Sequence, residues 1–178
     1  MRKSTMLREL LRQDGILVMP GASSALLGKV VELMGFRAVY ATGAGIANMQ
    51  FGVPDIGLAT MTEILETAKR INDATALPVV ADIDNGYGNA LNVYRTVREF
   101  SAAGIAALQL EDQQLPKRCG HFNGKAVISK EEMIGKIKAA KDAMQDPDTL
   151  LIARTDAIAV NGLQDALDRG IQIGRAHV

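Results

Sequence analysis

Ala106-Ala107-Leu108-Gln109-Leu110-Glu111-Asp112 is an apolar run that stops abruptly on two carboxylates. The same design recurs along the chain. Ile16 to Met19 leads into Gly21-Ala22-Ser23, Ala38 to Ala41 into Thr42-Gly43, Val79 to Ala81 into Asp82 and Asp84, and Leu150 to Ala153 into Arg154-Thr155-Asp156. These runs are apolar almost throughout instead of alternating, as in parallel strands buried on both faces. Between them lie segments of helical period. Thr60 with Glu63 and Ser129 with Glu132 have capping-box spacing, and Ser23 or Ser24 can cap a third helix. The expected buried stripes are Ile64, Ala68 and Ile71; Met133, Ile137, Ala140 and Met144; and Leu26, Leu27, Val30, Val31 and Met34.

Alternation of strand and helix five times over specifies an α/β fold. Reactive residues at the C-terminal end of every run favour a barrel, which gathers those ends around one mouth. An open doubly wound sheet uses mainly the ends beside its switch point. A complete eight-unit barrel takes about 250 residues. The 178 residues here therefore suit a partial TIM (β/α)8 barrel, about the first five β/α units with an N-terminal helix. Residues 1–172 read as an incomplete catalytic barrel domain. Ile173-Gly174-Arg175-Ala176-His177-Val178 matches the translation of a sequencing adapter before a stop codon, so 173–178, with His177, are expected to carry no function. An arc with open strand edges is expected to aggregate or oligomerise.

Composition narrows the function. Lysine plus arginine equals aspartate plus glutamate at 20 each, which gives no net field for nucleic acid or an anionic membrane. No apolar run reaches the roughly 18 residues of a membrane helix. The basic start is soon interrupted by Glu9, Arg12 and Asp14, against a secretory signal. The single cysteine excludes an internal disulfide and suits a cytoplasmic location.

The chemistry concentrates in a few segments. Asp82, Asp84 and Glu111 form an all-oxygen donor set suited to Mg2+, or to Mn2+ in its place. The plainer alternative, in which Asp82 and Asp84 only form a turn and cap the helix near Ala90, is weakened by Glu111-Asp112 on the adjacent strand. Zinc is a poor candidate, because Cys119 and His121 have no further cysteine to complete a site. Cys119 sits among Lys117, Arg118 and His121, and such cationic neighbours favour a thiolate fit for proton transfer. Lys117 suggests charge complementarity to a carboxylate substrate ahead of a Schiff base. Gly43-Ala44-Gly45 fails as a dinucleotide fingerprint, since the third glycine would fall at Asn48. It reads better as a backbone cradle for a substrate carboxylate, assisted by the Thr42 hydroxyl. Arg154 either clamps the same anion or pairs with Asp156.

Thr42-Gly43-Ala44-Gly45, Pro54-Asp55, Asp82-Ile83-Asp84-Asn85-Gly86-Tyr87-Gly88, Glu111-Asp112-Gln113, Lys117-Arg118-Cys119-Gly120-His121 and Ala153-Arg154-Thr155-Asp156 together resemble the isocitrate lyase and phosphoenolpyruvate mutase superfamily. The resemblance runs in register from about Ser4 to Gln172. The cysteine loop resembles the carbon–carbon lyase branch of 2-methylisocitrate and 2,3-dimethylmalate lyases; phosphonomutases and the related oxaloacetate decarboxylases of the superfamily usually lack it, and oxaloacetate hydrolysis stays open as an alternative. By position, the resemblance implies Asp84 as the direct magnesium ligand, with Asp82 and Glu111 acting largely through water. It implies Thr42, Gly43 and Ala44 on an α-keto acid carboxylate, with Asp55, Gly120 and Arg154 at the same substrate. It also implies Cys119 as acid–base residue tuned by Arg118 and His121, and Tyr40 helping to deprotonate a substrate hydroxyl. The implied reaction cleaves a 2-hydroxy di- or tricarboxylate to a keto acid, in a full-length homotetramer. Thr42-Gly43-Ala44 departs from the more usual Ser-Gly-Gly, and further site residues of the superfamily fall beyond the fifth strand. The chain by itself is therefore expected to be inactive.

Overall fold

The structure, a computed structural model, describes residues 1–176. His177 lies outside the described residues. The chain runs α1 (Lys3–Leu11), β1 (Gly21–Ala22), α2 (Ala25–Leu33), β2 (Val39–Ala41), α3 (Gly43–Phe51), α4 (Met61–Ala74), β3 (Val79–Asp82), α5 (Ala90–Ala102), β4 (Ala107–Glu111), α6 (Lys130–Ala143), β5 (Leu150–Arg154), α7 (Ala157–Val160) and α8 (Leu163–Ala176). All five strands are parallel and lie in the sheet in chain order, β1-β2-β3-β4-β5. Nowhere does the order reverse, as a doubly wound sheet requires. The sheet is an arc of a (β/α) barrel.

Side chains on successive strand residues point to opposite faces. Val39, Ala41, Val79, Ala81, Leu108 and Leu110 pack outward against Ile46, Ile64, Ile71, Val97, Phe100 and Ile137 of the helices. Tyr40, Val80, Ala107 and Leu150, which are matched in register, form a layer on the other face with Leu7 of α1. One layer further along the strands come Asp82, Gln109 and Ile152, and then Glu111 beside Arg154. The inner face thus changes from apolar to charged towards the C-terminal strand ends.

Helix starts follow the local chemistry. Thr60 and Glu63 form a full capping box on α4, and Ile64, Ala68 and Ile71 are buried behind it. Ser129 caps α6 by accepting from Glu132 N, a simple cap in place of the expected box. Ser24, not Ser23, caps α2 by accepting from Leu27 N at 3.3 Å. α1 crosses the opposite end of the strands: Lys3 Nζ donates to the Thr75 carbonyl at 2.7 Å and Ser4 Oγ to Asp146 at 2.6 Å.

Two expectations fail at the edges of the sheet. Ile16 to Met19 is not a strand; pairing begins only at Gly21 and Ala22, after Pro20, which lacks an N–H to donate. Ile16 and Val18 are exposed while Leu17 and Met19 touch the core, a pattern of one-sided burial. β5 at the other edge is likewise open, with Ile152 exposed. Burial on both faces holds for the central strands, which have neighbours on each side, and is lost where a neighbour is lacking. Of the α2 stripe only Leu27 and Val31 reach the core, and Leu26, Val30 and Met34 are exposed. α8 runs through the expected 172/173 boundary without a break, and Ile173 packs on the core.

Exposed apolar side chains flank both edges: Leu26, Leu33 and Met34 beside β1, and Ile158, Leu163 and Ile171 beyond β5. The 178-residue chain is expected to self-associate at micromolar concentration. Sedimentation velocity is the measurement, and a single species at the mass of one chain would contradict it.

Candidate active site

Asp82 ends β3, Glu111 ends β4, and Asp84 follows two residues after Asp82. The chain turns sharply to bring all three together. Asp84 adopts a left-handed φ of 49°, its N–H donates to Asp82 Oδ1 at 3.1 Å, and its carbonyl accepts from Glu111 N at 2.8 Å. Gly86 follows at φ 81°, where a Cβ would lie 2.3 Å from Val93 Cγ2, so only glycine fits. α5 is capped by Asn89, in a box with Asn92, which frees Asp82 and Asp84 from any capping duty.

The grouped charges perturb one another. Burial, then the Asp82 charge, pushes Asp84 up to about 6. Burial pushes Glu111 up to about 8, against the pull of Arg154 and with the help of Asp82 and Asp84. Asp82 is raised by burial as well, opposed by the Asp84 N–H bond. The balancing cation is Lys117, whose ammonium lies 2.6 Å from Asp84 Oδ1 and also contacts Asp55. Burial alone would lower its pKa, but Asp84 and Asp55 outweigh burial and hold it above the usual lysine value. Lys117 is thus a fully charged, buried strut, 4% exposed. Its charge complements the protein's own carboxylates while it lines the cavity, and a raised pKa disfavours the neutral amine that a Schiff base needs.

Glu111 Oε1 and the Tyr87 hydroxyl are buried without a hydrogen-bond partner, whereas Asp84 Oδ1 has the Lys117 ammonium. Unpaired buried polar atoms are costly, and a hydrated divalent cation held here would supply charge and water donors to them. Among the described residues no three His, Cys, Asp or Glu side chains stand close enough to hold a metal ion by themselves. The donors at hand are all carboxylate oxygens, which suit magnesium with retained waters rather than zinc. Asp82, Asp84 and Glu111 fit a water-rich magnesium site.

A cavity of about 200 Å3 opens over these carboxylates. Tyr40, Thr42, Ala44 and Asp55 line one side, and Arg118, Cys119, Gly120 and His121 the other, with Lys117 and Arg154 between. Gly43 lies behind, where a Cβ would come 3.1 Å from Asp82 Oδ2. Thr42 is the N-cap of α3 and accepts from Gly45 N at 3.3 Å, so its hydroxyl proton stays available to a ligand while its oxygen serves the helix. The helix start presents N–H groups and a positive dipole end to the cavity. Tyr40 is held protonated, first by burial and then by the adjacent Asp82 charge, which makes it a donor here instead of a base. Cys119 is half-buried, and His121 and Arg118 are exposed. The Arg118 guanidinium turns to the Asn123 carbonyl at 3.3 Å.

Arg154, for which the sequence leaves two roles open, fills both positions. Its guanidinium reaches Asp156 at 3.3 Å and Glu111 at 3.4 Å while lining the cavity. A second buried network escaped the sequence. Asp112, fully buried, accepts from Thr155 Oγ1 at 2.6 Å, Asp156 N at 2.9 Å and Arg169 at 3.0 Å. Asp112 and Asp156 stand in segments whose motifs mark them; Lys125 and Arg169, which meet them, carry no sequence signal.

A family profile described as phosphoenolpyruvate phosphomutase matches residues 7–176. The 2,3-dimethylmalate lyase of Eubacterium barkeri is 50% identical over 171 residues, 96% of this chain and 59% of that protein. The 2-methylisocitrate lyase of Shewanella oneidensis is 46% identical over 162 residues, 91% of this chain and 56% of that protein. The crystal structure of a phosphoenolpyruvate phosphomutase from Streptomyces platensis subsp. rosaceus superposes with a TM-score of 0.95 at 40% identity, covering 98% of this chain and 61% of that one. The chain therefore spans less than two thirds of the length of these relatives. Among its described residues no helix is long and apolar enough to cross a membrane.

The carboxylate shifts set a pH dependence. Folded-state values of about 6 for Asp84 and about 8 for Glu111 lie above the ordinary range. Their contribution to stability is complete below the unfolded value of about 4 and is lost as pH rises through the folded values. Without divalent cations, denaturant-measured stability should fall from about pH 5 to about pH 8.5, and Glu111→Gln should flatten the upper part. Identical profiles for variant and parent would refute the Glu111 assignment.

Proposed function

The chain belongs to the phosphoenolpyruvate mutase/isocitrate lyase superfamily, and on that premise we propose that it is the catalytic part of a magnesium-dependent carbon–carbon lyase. The substrate class is a 2-hydroxy di- or tricarboxylate of the 2,3-dimethylmalate or 2-methylisocitrate type, and the product is an α-keto acid such as pyruvate with a second carboxylate. One observation carries the reading: Cys119 lines the same small cavity as the oxygen donors Asp82 and Glu111. An acid for carbon and a cation site for oxygen face each other across a space for one small acid.

Asp82, Asp84 and Glu111 would hold the magnesium, or manganese in its place, and the cation supplies charge stabilisation of the alkoxide and keto oxygens when bound. The start of α3, with Thr42 and Ala44, holds the carboxylate of the nascent keto acid, and Arg154 takes the same portion. Asp55 fixes Lys117, which keeps the carboxylates in place. Tyr40 orients the substrate hydroxyl, whose proton passes to the carboxylate cluster. The carbon–carbon bond then breaks, its electrons move to the departing fragment, and the Cys119 S–H protonates that carbon. Gly120 allows the close approach of the loop to Arg154, since a Cβ there would fall 2.7 Å from the guanidinium. His121 and Arg118 complete the loop wall. A cytoplasmic homotetramer acting on a small carboxylate, without nucleic acid or membrane, belongs to the same reading.

A phosphonomutase is the second reading, supported by the family profile and by the Streptomyces platensis structure. The cysteine on the cavity wall argues against it. The test is keto-acid release with and without magnesium from 2,3-dimethylmalate, 2-methylisocitrate and oxaloacetate. It is run on the chain as it stands and on the chain joined to the C-terminal remainder of the 2,3-dimethylmalate lyase relative. Magnesium-dependent pyruvate from either of the first two acids is the expected result. Oxalate from oxaloacetate alone would move the protein to the hydrolases, and silence on all three substrates with interconversion of phosphonopyruvate and phosphoenolpyruvate would establish the mutase reading. In an active form, Cys119→Ser should lower kcat by about a hundredfold or more with little change in KM.

A further inference from the structure

Residues 112–129 join β4 to α6 and carry Cys119. The stem of this loop is a backbone ladder: Gln114 N donates to the Ala126 carbonyl and Ile128 N to the Asp112 carbonyl, each at 2.9 Å. The tip, residues 117–125, is tied down differently. Gln113 is buried at 1% exposure, and its side chain clamps Arg118 from both sides. Its Oε1 accepts from Arg118 N at 2.9 Å, and its Nε2 donates to the Arg118 carbonyl at 2.9 Å and to Asp156 Oδ2 at 3.1 Å. From the far side of the tip, Lys125 Nζ donates to the Gly120 carbonyl at 2.7 Å and to Asp156 Oδ1 at 3.0 Å. Both clamps converge on Asp156 and bracket Cys119, the residue between Arg118 and Gly120.

We propose that Gln113 and Lys125 are positioning residues that latch the Cys119 loop across the cavity, with Asp156 as their common anchor. A primary amide offers a donor and an acceptor side by side at any working pH, which is what the N–H and C=O of a single residue demand, whereas a carboxyl group does so only when protonated. The latch holds whatever reaction the cavity performs; its catalytic consequence, a thiol kept at a fixed distance from the substrate carbon, rests on the lyase reading. Beyond the Lys117 strut, the tip from Arg118 to Lys125 is held by these side-chain hydrogen bonds and is a locally separable unit, able to open without loss of the sheet.

The test uses the chain's only cysteine as its own reporter. The rate of alkylation of Cys119 by iodoacetamide, an uncharged probe, is measured in parent, Gln113→Glu and Lys125→Met chains at one pH. Glutamate at 113 keeps the shape, removes both Nε2 donations and places a carboxylate against Asp156. Methionine at 125 keeps the stem and removes the ammonium. Each variant should be alkylated about tenfold faster. Loss of a nearby cation by itself slows alkylation, so acceleration in Lys125→Met reports access and not charge. Hydrogen exchange is read alongside. Increased exchange confined to residues 117–125, with β3 and β4 unchanged, is the expected pattern. Unchanged alkylation in both variants, or an increase spread through the strands, would overturn the latch. Should Gln113→Glu fail to fold, Lys125→Met decides alone. Neither measurement involves a substrate, so failure of the lyase reading leaves this result standing.

Discussion

Asp55, Asp82 and Glu111 line one cavity with Asp84 close beside it, and the ammonium of Lys117, which meets Asp55 and Asp84, is the charge that makes this arrangement tenable. Parallel strands all end on the same side, so residues that terminate neighbouring strands are forced together whatever their charge. Burial first, and this repulsion added to it, raises Asp84 and Glu111, and Lys117 and Arg154 only partly offset the rise. The contrast with the surface is one of scale. Exposed pairs along α4, such as Lys69 with Asp73 and Arg70 with Glu66, contribute at most about 0.5 kcal/mol each. Removing one partner from a buried charged group costs about 3–5 kcal/mol, because the other is left unpaired.

That strut also links segments that have no backbone pairing with each other. Lys117 belongs to the loop after β4, Asp84 to the turn after β3, and Asp55 to the stretch between α3 and α4. The loop bearing Cys119 is therefore seated on the same carboxylate that faces the cation position. Asp112 extends the coupling outward. Through Arg169 it ties α8 to the end of β4, and through Thr155 and the Asp156 N–H it fixes the end of β5.

Much of this was legible residue by residue. The central strands, the α4 capping box, the α6 stripe and the placing of Asp82 and Glu111 at strand ends all follow from local pattern, because each depends on a few neighbours in sequence. Ile16 to Met19 misled for the opposite reason: an apolar run becomes a strand only if a partner pairs with it, and here pairing starts beyond Pro20. The α2 stripe failed likewise. Leu26 and Met34 have the right spacing, but nothing described in the chain packs against that side.

The sequence by itself determined the fold class, the family and the membership of the cavity, since alternation, capping and strand-end residues are properties of short stretches. Only the tertiary structure decided what each charged residue answers to. Lys117 serves Asp55 and Asp84, Arg154 serves Glu111 and Asp156 together, and Gln113 grips the backbone of Arg118. Coulomb attraction and hydrogen bonding depend on distance through space. Asp55 and Lys117 are 62 positions apart in the chain and in direct contact in the fold, and no local pattern encodes that meeting.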